Sequence, residues 1–439
     1  TDKNHPVDID RLLIMTFTRA AAGEMRERIT SALESALYED PDNEHLQRQM
    51  NLIHTAQITT IDGFCSYVIR NYFHMIGLDP GFRTAEEGEM KLLREDVAKE
   101  VLEEAYRKKT EDFMALTECY APGKTDDGLK DLVFRLYDAA MSHPFPEEWL
   151  EECLKTFQAE DVETLRKEPW MDLLWQTADE ELAQAERLAR RTVRICLLPD
   201  GPYLYEEALE SDLQFIDRVK KAVDSRDYAR TSEILGELSF ARLSGKKQPE
   251  AEEAKKELVK ELREGEKNIL KELAGKYFRC SEEELLRLQI QCRSPLTGLV
   301  DLTRKFRETL DRKKREKNLL DFTDMEHFAL EILVKKEGET FTPTQAAREL
   351  SEKYEEVLID EYQDSNYVQE MIAAMVSGWV KNRKNIFMVG DVKQSIYRFR
   401  LARPELFMEK YHRFTLEDSE EQRIDLHRNF RSRPQVLDS

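Results

Sequence analysis

Two short apolar runs in the first part of the chain each precede a helical pattern. The run Leu12–Met15 is followed by a small-residue stretch, Ala20–Ile29, and Ile58–Thr60 is followed by an amphipathic run over Phe64–Ile76. A buried strand of a parallel sheet reads as a continuous apolar run, and helices connect such strands. The pattern therefore predicts two units of a strand followed by a helix.

The last part of the chain contains two more apolar runs of strand length. Val357–Ile359 stops at Asp360, and Ile386–Val389 stops at Gly390, in each case before a helical pattern. We predict that all four runs belong to one parallel sheet of an α/β fold.

The middle of the chain has a different period. Between about residues 84 and 311, apolar residues recur three or four positions apart, and strand patterns are scarce. This period predicts an all-helical insertion. Within a segment rich in Glu and Lys, a heptad-like stripe consists of Leu258, Leu262, Ile269 and Leu273. We expect the stripe to pack in a core, and a partner-binding surface is the alternative.

The charge of the chain is acidic overall but unevenly distributed. The 439 residues contain 67 Lys and Arg against 88 Asp and Glu, a formal net charge of −21, which by itself argues against a general polyanion binder. Residues 381–439, however, contain 13 Lys or Arg and 9 Asp or Glu, a net charge of +4. The whole-chain charge therefore describes solubility and does not exclude a nucleic-acid cleft.

Apolar run lengths and cysteine spacing indicate the compartment. The longest apolar runs are far shorter than the roughly 20 residues of a membrane span, so we expect no membrane segment. The six cysteines are scattered without a C-x-x-C pair, which favours reduced thiols and a cytoplasmic location. No signal-like region is visible at Thr1, and Ser439 lies in a charged segment, so we expect both ends to be cuts in a longer polypeptide.

The strongest chemical signal is the acidic sequence that ends the third apolar run. Asp360 and Glu361 follow Val357–Ile359 directly, and Gln363 and Asp364 come next. The carboxyl ends of parallel strands line the crevice where α/β sheets bind ligands. There an Asp can hold Mg²⁺ while the next Glu polarises a water. An acidic loop that merely ends the strand and caps a helix is the alternative, which Gln363 and Asp364 disfavour.

Two later segments interleave aromatic residues with arginines. Gly390–Arg400 places Gln394 soon after a strand, followed by Tyr397 and Phe399, and Leu426–Arg433 has a similar composition. An amide at a strand end can hydrogen-bond a terminal phosphate or its attacking water. Rings stack on bases while guanidinium groups contact phosphates, which suits single-stranded nucleic acid. For Tyr397 alone, a core aromatic near a helix N-terminus is the alternative.

Two other candidates have plain structural interpretations. The basic run Arg312–Arg315 could follow a phosphate backbone, but a solvated helix end is the preferred interpretation. His327 lacks partners at metal-ligand spacing, so we expect a structural histidine.

Taken together and in order, five segments resemble the motifs of superfamily 1 DNA helicases. Thr16–Ala21 resembles motif Ia, Thr60–Phe64 the next DNA-contacting motif, Asp360–Asp364 motif II, Gly390–Arg400 motif III and Leu426–Arg433 motif IV. Five motifs in the family's order make this resemblance specific.

Details of three runs narrow the resemblance to the AddA family of bacterial helicase/nuclease subunits, which is UvrD-like and RecB-like. These runs are Val392–Ala402, Asn429–Arg433 and Leu319–Asp324. The motifs cover about the first 83 and the last 125 residues, while the middle matches only in size and helical character. The resemblance implies an incomplete RecA-like motor domain 1A at residues 1–83 and 312–420, a helical insertion 1B at 84–311, and the start of a second RecA-like domain 2A at 421–439.

Carried over position by position, the resemblance implies a site for ATP and Mg²⁺. Asp360 would bind the Mg²⁺, Glu361 would act as the base for the attacking water, and Gln394 would sense the γ-phosphate. Arg431 would contact that phosphate from domain 2A, and Phe430 would lie against the adenine.

The resemblance also implies a set of DNA contacts. The matching positions are Phe17, Thr18, Thr60, Tyr397, Phe399 and Arg400. Asp62 departs from the family pattern, which commonly has His there, so Asp62 is assigned no DNA contact.

One motif of the family is missing from this chain. The P-loop, G-x-x-x-x-G-K-[ST], should precede motif Ia, and the tempting Pro122–Thr125 has Glu118 at the position of the first required glycine. We read that segment as an ordinary loop and expect no ATPase activity from this chain alone. Later motifs, a nuclease domain and its 4Fe-4S cysteines would lie beyond Ser439.

The implied function is that of an ATP-dependent 3′-to-5′ DNA helicase, in a longer protein that is also an exonuclease. It would process double-strand breaks for recombinational repair, with an AddB-like protein as its partner. One alternative is a stand-alone helicase without a nuclease, which a C-terminal nuclease motif would exclude. The other is a non-catalytic DNA-binding scaffold, and the presence of Asp360, Glu361, Gln394 and Arg431 argues against it.

Overall fold

The computed structural model describes residues 6–121, 123, 125–338, 340–396 and 402–426. Its strands are β1 (Leu12–Thr16), β2 (Gln57–Thr60), β3 (Arg83–Thr84), β4 (Leu319–Leu320), β5 (Val334–Glu337), β6 (Thr340–Pro343), β7 (Glu356–Ile359) and β8 (Ile386–Met388). Its α-helices are α1 (Arg19–Glu39), α2 (Glu44–Leu52), α3 (Ile61–Tyr72), α4 (Glu87–Lys108), α5 (Glu111–Tyr120), α6 (Asp127–Met141), α7 (Pro146–Lys155), α8 (Val162–Leu165), α9 (Pro169–Cys196), α10 (Glu206–Asp224), α11 (Tyr228–Gly236), α12 (Glu253–Glu272), α13 (Glu282–Glu316), α14 (Phe322–Leu333), α15 (Gln345–Lys353), α16 (Tyr367–Val376) and α17 (Pro404–Arg413).

Two short 3-10 turns and one wider helical turn complete the elements needed below. Tyr362–Asp364 follows β7, and Val392–Gln394 follows β8. Leu273–Tyr277 is a π-helical turn that continues α12.

The chain forms two compact units. The first comprises residues 1–109, 123–150 and 299–439, and the second comprises residues 110–122 and 151–298. The domain boundaries at 84 and 311 stay a prediction. No helix in the described part of the chain is both long and apolar enough to cross a membrane.

The first unit contains the predicted parallel sheet. Its strand order is β2-β1-β7-β8, and each neighbouring pair is parallel. In register, Met15 lies beside Thr59 on one side and Ile359 on the other, and Ile359 lies beside Met388. The four apolar runs are therefore confirmed as strands of one sheet, and their carboxyl ends meet at one edge.

Both faces of this sheet carry buried side chains. Leu13 and Met15 of β1, with Val357 and Ile359 of β7, pack on one face. That cluster also includes helical residues from α3, α14 and α16, among them Phe64, Val68, Ala329, Leu333, Ile372 and Val376. On the opposite face, Ile14 and Ile58 pack with residues of α1 and α2 and their connections. Successive strand residues point to opposite faces, so the apolar runs serve both layers.

Side-chain caps fix where several helices of this unit begin. Thr18 accepts a hydrogen bond from Ala21 N at 3.1 Å, and Thr60 accepts one from Gly63 N at 3.0 Å. Asn366 and Gln369 form a reciprocal capping box at the start of α16. Such caps satisfy N–H groups that have no partner inside the helix, so α1, α3 and α16 start directly after strands or turns.

Two small strand pairs were not predicted from the sequence. β3 pairs in parallel with β4, and β5 pairs antiparallel with β6. β3 and β4 have two residues each, and β5 and β6 contain mostly polar, exposed side chains. Neither pair shows the apolar run that identifies a buried strand.

The second unit is helical throughout its described residues, as predicted. Its main cluster is built on α9, α10, α11 and α12, with Leu182, Ile216, Ile234 and Leu270 among its buried residues. The rings of Trp175, Tyr228 and Phe278 contact one another within it. The false P-loop at residues 122–125 lies in the connection between α5 and α6.

The predicted stripe on α12 is wrong in its phase. Leu258, Leu262 and Ile269 are only partly buried, while Leu273 is buried. The buried residues within α12 are Val259, Arg263, Glu266 and Leu270. A stripe of apolar residues could not identify this face, because two of its four buried positions carry charged side chains.

The basic run and His327 have structural roles. Residues 312–315 lie in the last turns of α13, as expected, but Lys314 is 2% exposed rather than solvated, and it pairs with Asp311, Asp321 and Asp324. The imidazole Nε2 of His327 lies 2.9 Å from the carbonyl oxygen of Met141. Burial lowers the pKa of His327, which fits an uncharged packing residue.

Candidate helicase site at the carboxyl edge of the sheet

The acidic pair Asp360 and Glu361 lies at the carboxyl edge of the sheet. Asp360 N donates to the carbonyl oxygen of Met15 at 2.9 Å, which extends the pairing of β7 with β1 by one residue. Glu361 then has a φ of 53°, in the left-handed region, and its N–H donates to Asp360 Oδ1 at 3.1 Å. This change of direction ends the strand and leaves Asp360 half-buried and Glu361 exposed.

The carboxylates at this edge repel one another. Burial raises the pKa of Asp360, and the charge of Glu361 acts in the same direction, while the Glu361 N–H opposes it. Burial and Glu361 also raise the pKa of Asp364. Clustered carboxylates in a partly buried site favour binding of a cation, because a cation relieves both the repulsion and the desolvation.

A glutamine that sequence reasoning did not assign connects this pair to the next strand. Gln363 Nε2 donates to Glu361 Oε2 at 2.7 Å, and Gln363 Oε1 accepts from Asp391 N at 3.0 Å. Gln363 is 1% exposed. Its one amide thus joins the residues that follow β7 to those that follow β8.

Gly390 makes room for this bridge. A Cβ on Gly390 would lie 2.6 Å from Gln363 Oε1, 3.3 Å from Gln363 N and 3.1 Å from the ring of Phe407. The only available signal in the sequence was Gly390 itself, since a glycine at a strand end often marks a close approach.

Gln394 reaches the acidic pair through this chain of hydrogen bonds. Gln394 Nε2 donates to Asp391 Oδ2 at 3.0 Å, and Asp391 Oδ1 accepts from Lys393 N at 3.0 Å. The hydrogen bond from Gln394 lowers the pKa of Asp391. The structure therefore brings Asp360, Glu361 and Gln394 to one edge, with Asp391 and Gln363 between the last two.

The ends of β1 and β2 form a second, separate part of this edge. Thr18 and Thr60 cap α1 and α3, and a cavity of about 270 Å³ is lined by Arg19, Ala22, Gly23, Arg26, Ile58, Thr59, Thr60 and Gly63. Helix N-termini favour anions, and Arg19 is exposed at the first position of α1. Gly63 is required here, because a Cβ would lie 2.3 Å from Thr59 Oγ1.

The comparison with known proteins decides the family. Residues 3–415 match the model of the UvrD/REP helicase N-terminal domain. The chain belongs to the UvrD/REP helicase family. It therefore has the helicase fold that the five motifs predicted.

Curated relatives of this helicase chain are all named as the same ATP-dependent helicase/nuclease component. The chain is 49% identical over 441 residues to that protein of Lachnoclostridium phytofermentans, covering 100% of this chain and 32% of the relative. Proteins of the same name in Clostridium perfringens and Anoxybacillus flavithermus are 39% and 40% identical, covering 100% and 99% of this chain and 34% and 36% of theirs. The chain thus spans about a third of the length of these relatives.

Several predicted helicase residues lie outside the described part of the chain. These are Tyr397, Phe399, Arg400, Phe430 and Arg431. Of the predicted DNA contacts, Phe17, Thr18 and Thr60 are described, and all three directly follow or end β1 and β2. Asp62 lies in the first turn of α3.

Proposed function

We propose that this chain provides part of the ATP-hydrolysing and DNA-contacting core of an ATP-dependent helicase/nuclease. The full-length protein would unwind and resect DNA double-strand breaks for recombinational repair. The observation that carries the proposal is the continuous hydrogen-bonded connection from Glu361 through Gln363 and Asp391 to Gln394. The family match and the names of the relatives support the same function.

Asp360 is the proposed Mg²⁺ ligand. Proteins commonly hold Mg²⁺ through one or two carboxylates, with water and substrate phosphates completing the octahedron. The half-buried carboxylate of Asp360, beside the charge of Glu361, fits this pattern. No group of three His, Cys, Asp or Glu side chains in the described ranges could hold a metal by itself, which agrees with a site completed by a nucleotide. When bound, the ion would neutralise charge on the transferred phosphate.

Glu361 is the proposed base. Its exposed carboxylate can accept a proton from a water that attacks the γ-phosphate, because Gln363 occupies only Oε2 and holds the group in place. Gln394 is placed to sense that phosphate, since its amide can exchange the hydrogen bond to Asp391 for one to the nucleotide. Arg431 and Phe430 would complete the nucleotide site, as the family resemblance implies.

Thr18 and Thr60 are the proposed start of the DNA path. Their hydroxyl oxygens cap helices whose N-termini attract phosphate, and Phe17 lies beside Thr18. Tyr397, Phe399 and Arg400 would extend the path. An AddB-like partner, a 4Fe-4S cluster elsewhere in the full-length protein and a cytoplasmic location complete the proposal.

The decisive experiment replaces the proposed base in the full-length protein. Glu361→Gln keeps the size of the side chain but cannot accept a proton, so we expect DNA-stimulated ATP turnover to fall roughly 10²- to 10⁴-fold, with single-stranded DNA binding retained. Steady-state ATPase assays and fluorescence anisotropy measure the two quantities.

Glu356→Gln is the matched control, because Glu356 is the first residue of β7, at the other end of the same strand. Its ATPase should equal that of the wild type. Undiminished turnover in Glu361→Gln would refute the assignment.

A further inference from the structure

Helix α17 contacts the turn that follows the acidic pair. Arg403 N, just before α17, donates to the carbonyl oxygen of Ser365 at 2.9 Å. The rings of Phe407 and Tyr362 have centroids 6.3 Å apart. Because Phe407 also lies beside Gly390, α17 packs where the residues after β7 meet those after β8.

Three side chains from three elements form a polar link within this packing. Lys410 Nζ of α17 donates to Glu370 Oε1 of α16 at 2.6 Å. The hydroxyl of Tyr362 donates to Glu370 Oε2. Lys410 Nζ also lies 5.1 Å from the centroid of the Tyr362 ring, within the range of a cation–π contact.

This link is more enclosed than an ordinary surface ion pair. The side chains of Lys410 and Glu370 are 17% and 30% exposed, and Tyr362 is 1% exposed. Burial and the charge of Glu370 raise the pKa of Tyr362, so its hydroxyl remains a donor at neutral pH. A shielded, charge-assisted pair is stronger and less sensitive to salt than an exposed one.

The same turn is bonded to the acidic site on its other side. Tyr362 N donates to the carbonyl oxygen of Val389 at 2.9 Å, and Gln363, the next residue, holds Glu361. A shift of the Glu361 carboxylate therefore displaces a turn that Glu370 and Lys410 attach to α17.

We propose that Lys410 is a positioning residue that holds α17 to the Tyr362–Asp364 turn through Glu370 and Tyr362, and so couples the nucleotide site to the segment before α17. This inference rests on the proposed function, because residues 397–400 before α17 include three of the proposed DNA contacts. The physical basis is a shared contact between two elements that both sites can displace.

The experiment compares Lys410→Met, Lys410→Arg and the control Lys381→Met in the full-length protein. Lys381 also forms an ion pair in the first unit, but its partner is Glu352 of α15, at 2.7 Å. We expect Lys410→Met to reduce the stimulation of ATPase kcat by single-stranded DNA roughly tenfold, within the usual range of coupling between sites. Its activity without DNA and its KM for ATP should stay at the wild-type level.

Lys410→Arg should restore most of the stimulation, because arginine keeps the charge and can donate to Glu370. Equal loss of ATPase with and without DNA, or a full effect that arginine does not rescue, would show a merely structural role and overturn the inference. So would an unchanged stimulation in Lys410→Met.

A second readout does not depend on ATP turnover. In the 439-residue chain, amide hydrogen exchange at Tyr362–Asp364 should become faster in Lys410→Met and stay at the wild-type rate in Lys381→Met. Unchanged exchange in Lys410→Met would overturn the inference. Absence of ATPase in the wild-type full-length protein would instead refute the proposed function, and the exchange experiment would still decide whether the link exists.

Discussion

The edge of the sheet and the helical second unit treat buried charge in opposite ways. In the helical unit, Asp212 and Arg263 are 3% and 2% exposed and form a bidentate pair at 2.6 and 3.1 Å. At the sheet edge, Asp360 and Glu361 remain accessible and lie next to each other, and neither forms an ion pair with a described Lys or Arg. The pair in the helical unit is complete, whereas the sheet edge leaves charge for a ligand to neutralise.

Arg263 shows how complete the helical arrangement is. Besides Asp212, it donates to the carbonyl oxygen of Ala241 at 2.8 Å. A buried ion pair contributes little net stability when compared with an apolar pair, but removal of one partner leaves the other charge buried alone. Such a pair therefore serves packing and is sensitive to any single change.

The largest expected effect comes from breaking this pair. Arg263→Met keeps much of the side-chain volume but leaves Asp212 without its partner, so we expect a loss of about 3–5 kcal/mol in the free energy of unfolding. Urea unfolding of the 439-residue chain, followed by circular dichroism, measures this loss. Lys260→Met on the same helix removes an exposed pair with Glu257 and should leave the unfolding midpoint unchanged. Equal stability of Arg263→Met and wild type would show that the pair is not a requirement of the fold.

An intermediate effect is expected at the sheet edge. Gly390→Ala places a methyl group against Gln363, which cannot move without losing its bonds to Glu361 and Asp391. We expect a loss of about 1–3 kcal/mol in the free energy of unfolding, as for other overpacked sites.

The control for this change is Gly88→Ala in α4, where a Cβ would meet no atom within 4 Å. Alanine is the better helix former, so this variant should be as stable as the wild type or more stable. The same thermal and urea unfolding measurements apply to both. If Gly390→Ala unfolds together with Gly88→Ala, the tight contact at Gly390 is not needed for stability.

The smallest effect compares one buried glutamate from each unit as the pH changes. Burial, with Asp212 nearby, raises the pKa of Glu266 to about 8, and burial, with Asp62 nearby, raises the pKa of Glu326 to about 7. Between the ordinary glutamate pKa and these raised values, the folded state binds a proton that the unfolded state has released. Both groups therefore make the protein less stable as pH rises through this window.

The two glutamates differ in their hydrogen bonds. Glu266 has no hydrogen-bond partner among the described residues, while Glu326 accepts from Asn366 Nδ2 and Gln369 Nε2. Glu266→Gln should therefore gain about 1 kcal/mol relative to the wild type between about pH 6 and pH 7, because its slope is removed. Glu326→Gln should lose stability at both pH values, because its amide N–H groups would face two donors. Parallel slopes for Glu266→Gln and wild type would exclude a raised pKa at Glu266.

The sequence was sufficient for the sheet because of how its strands are buried. β1 and β7 pack side chains on both faces, so their residues form continuous apolar runs that are visible without coordinates. The acidic pair and Gln394 were found for a related reason, since they directly follow such runs. The pair β5 and β6 was missed because polar, exposed residues such as Lys335 and Thr342 give no such signal.

Other features depend on contacts that no pattern reports. Glu266 and Arg263 occupy core positions of α12 that an apolar stripe excludes, because each is buried only in the context of Asp212 and the neighbouring helices. The bridging role of Gln363 depends on which strands are neighbours, and on Gly390 leaving space for an amide. Sequence spacing alone could not place an atom of residue 363 between residues 361 and 391.

The backbone of Glu361 has a consequence for how this family can vary. A left-handed conformation costs a residue with a Cβ roughly 1–2 kcal/mol relative to glycine, so this position is a local liability for folding. Selection for thermal robustness alone would favour glycine or asparagine there. A glutamate at this position therefore records selection for chemistry against selection for stability, and a sequence in which it has become glycine would mark a protein that has kept the fold and given up the motor.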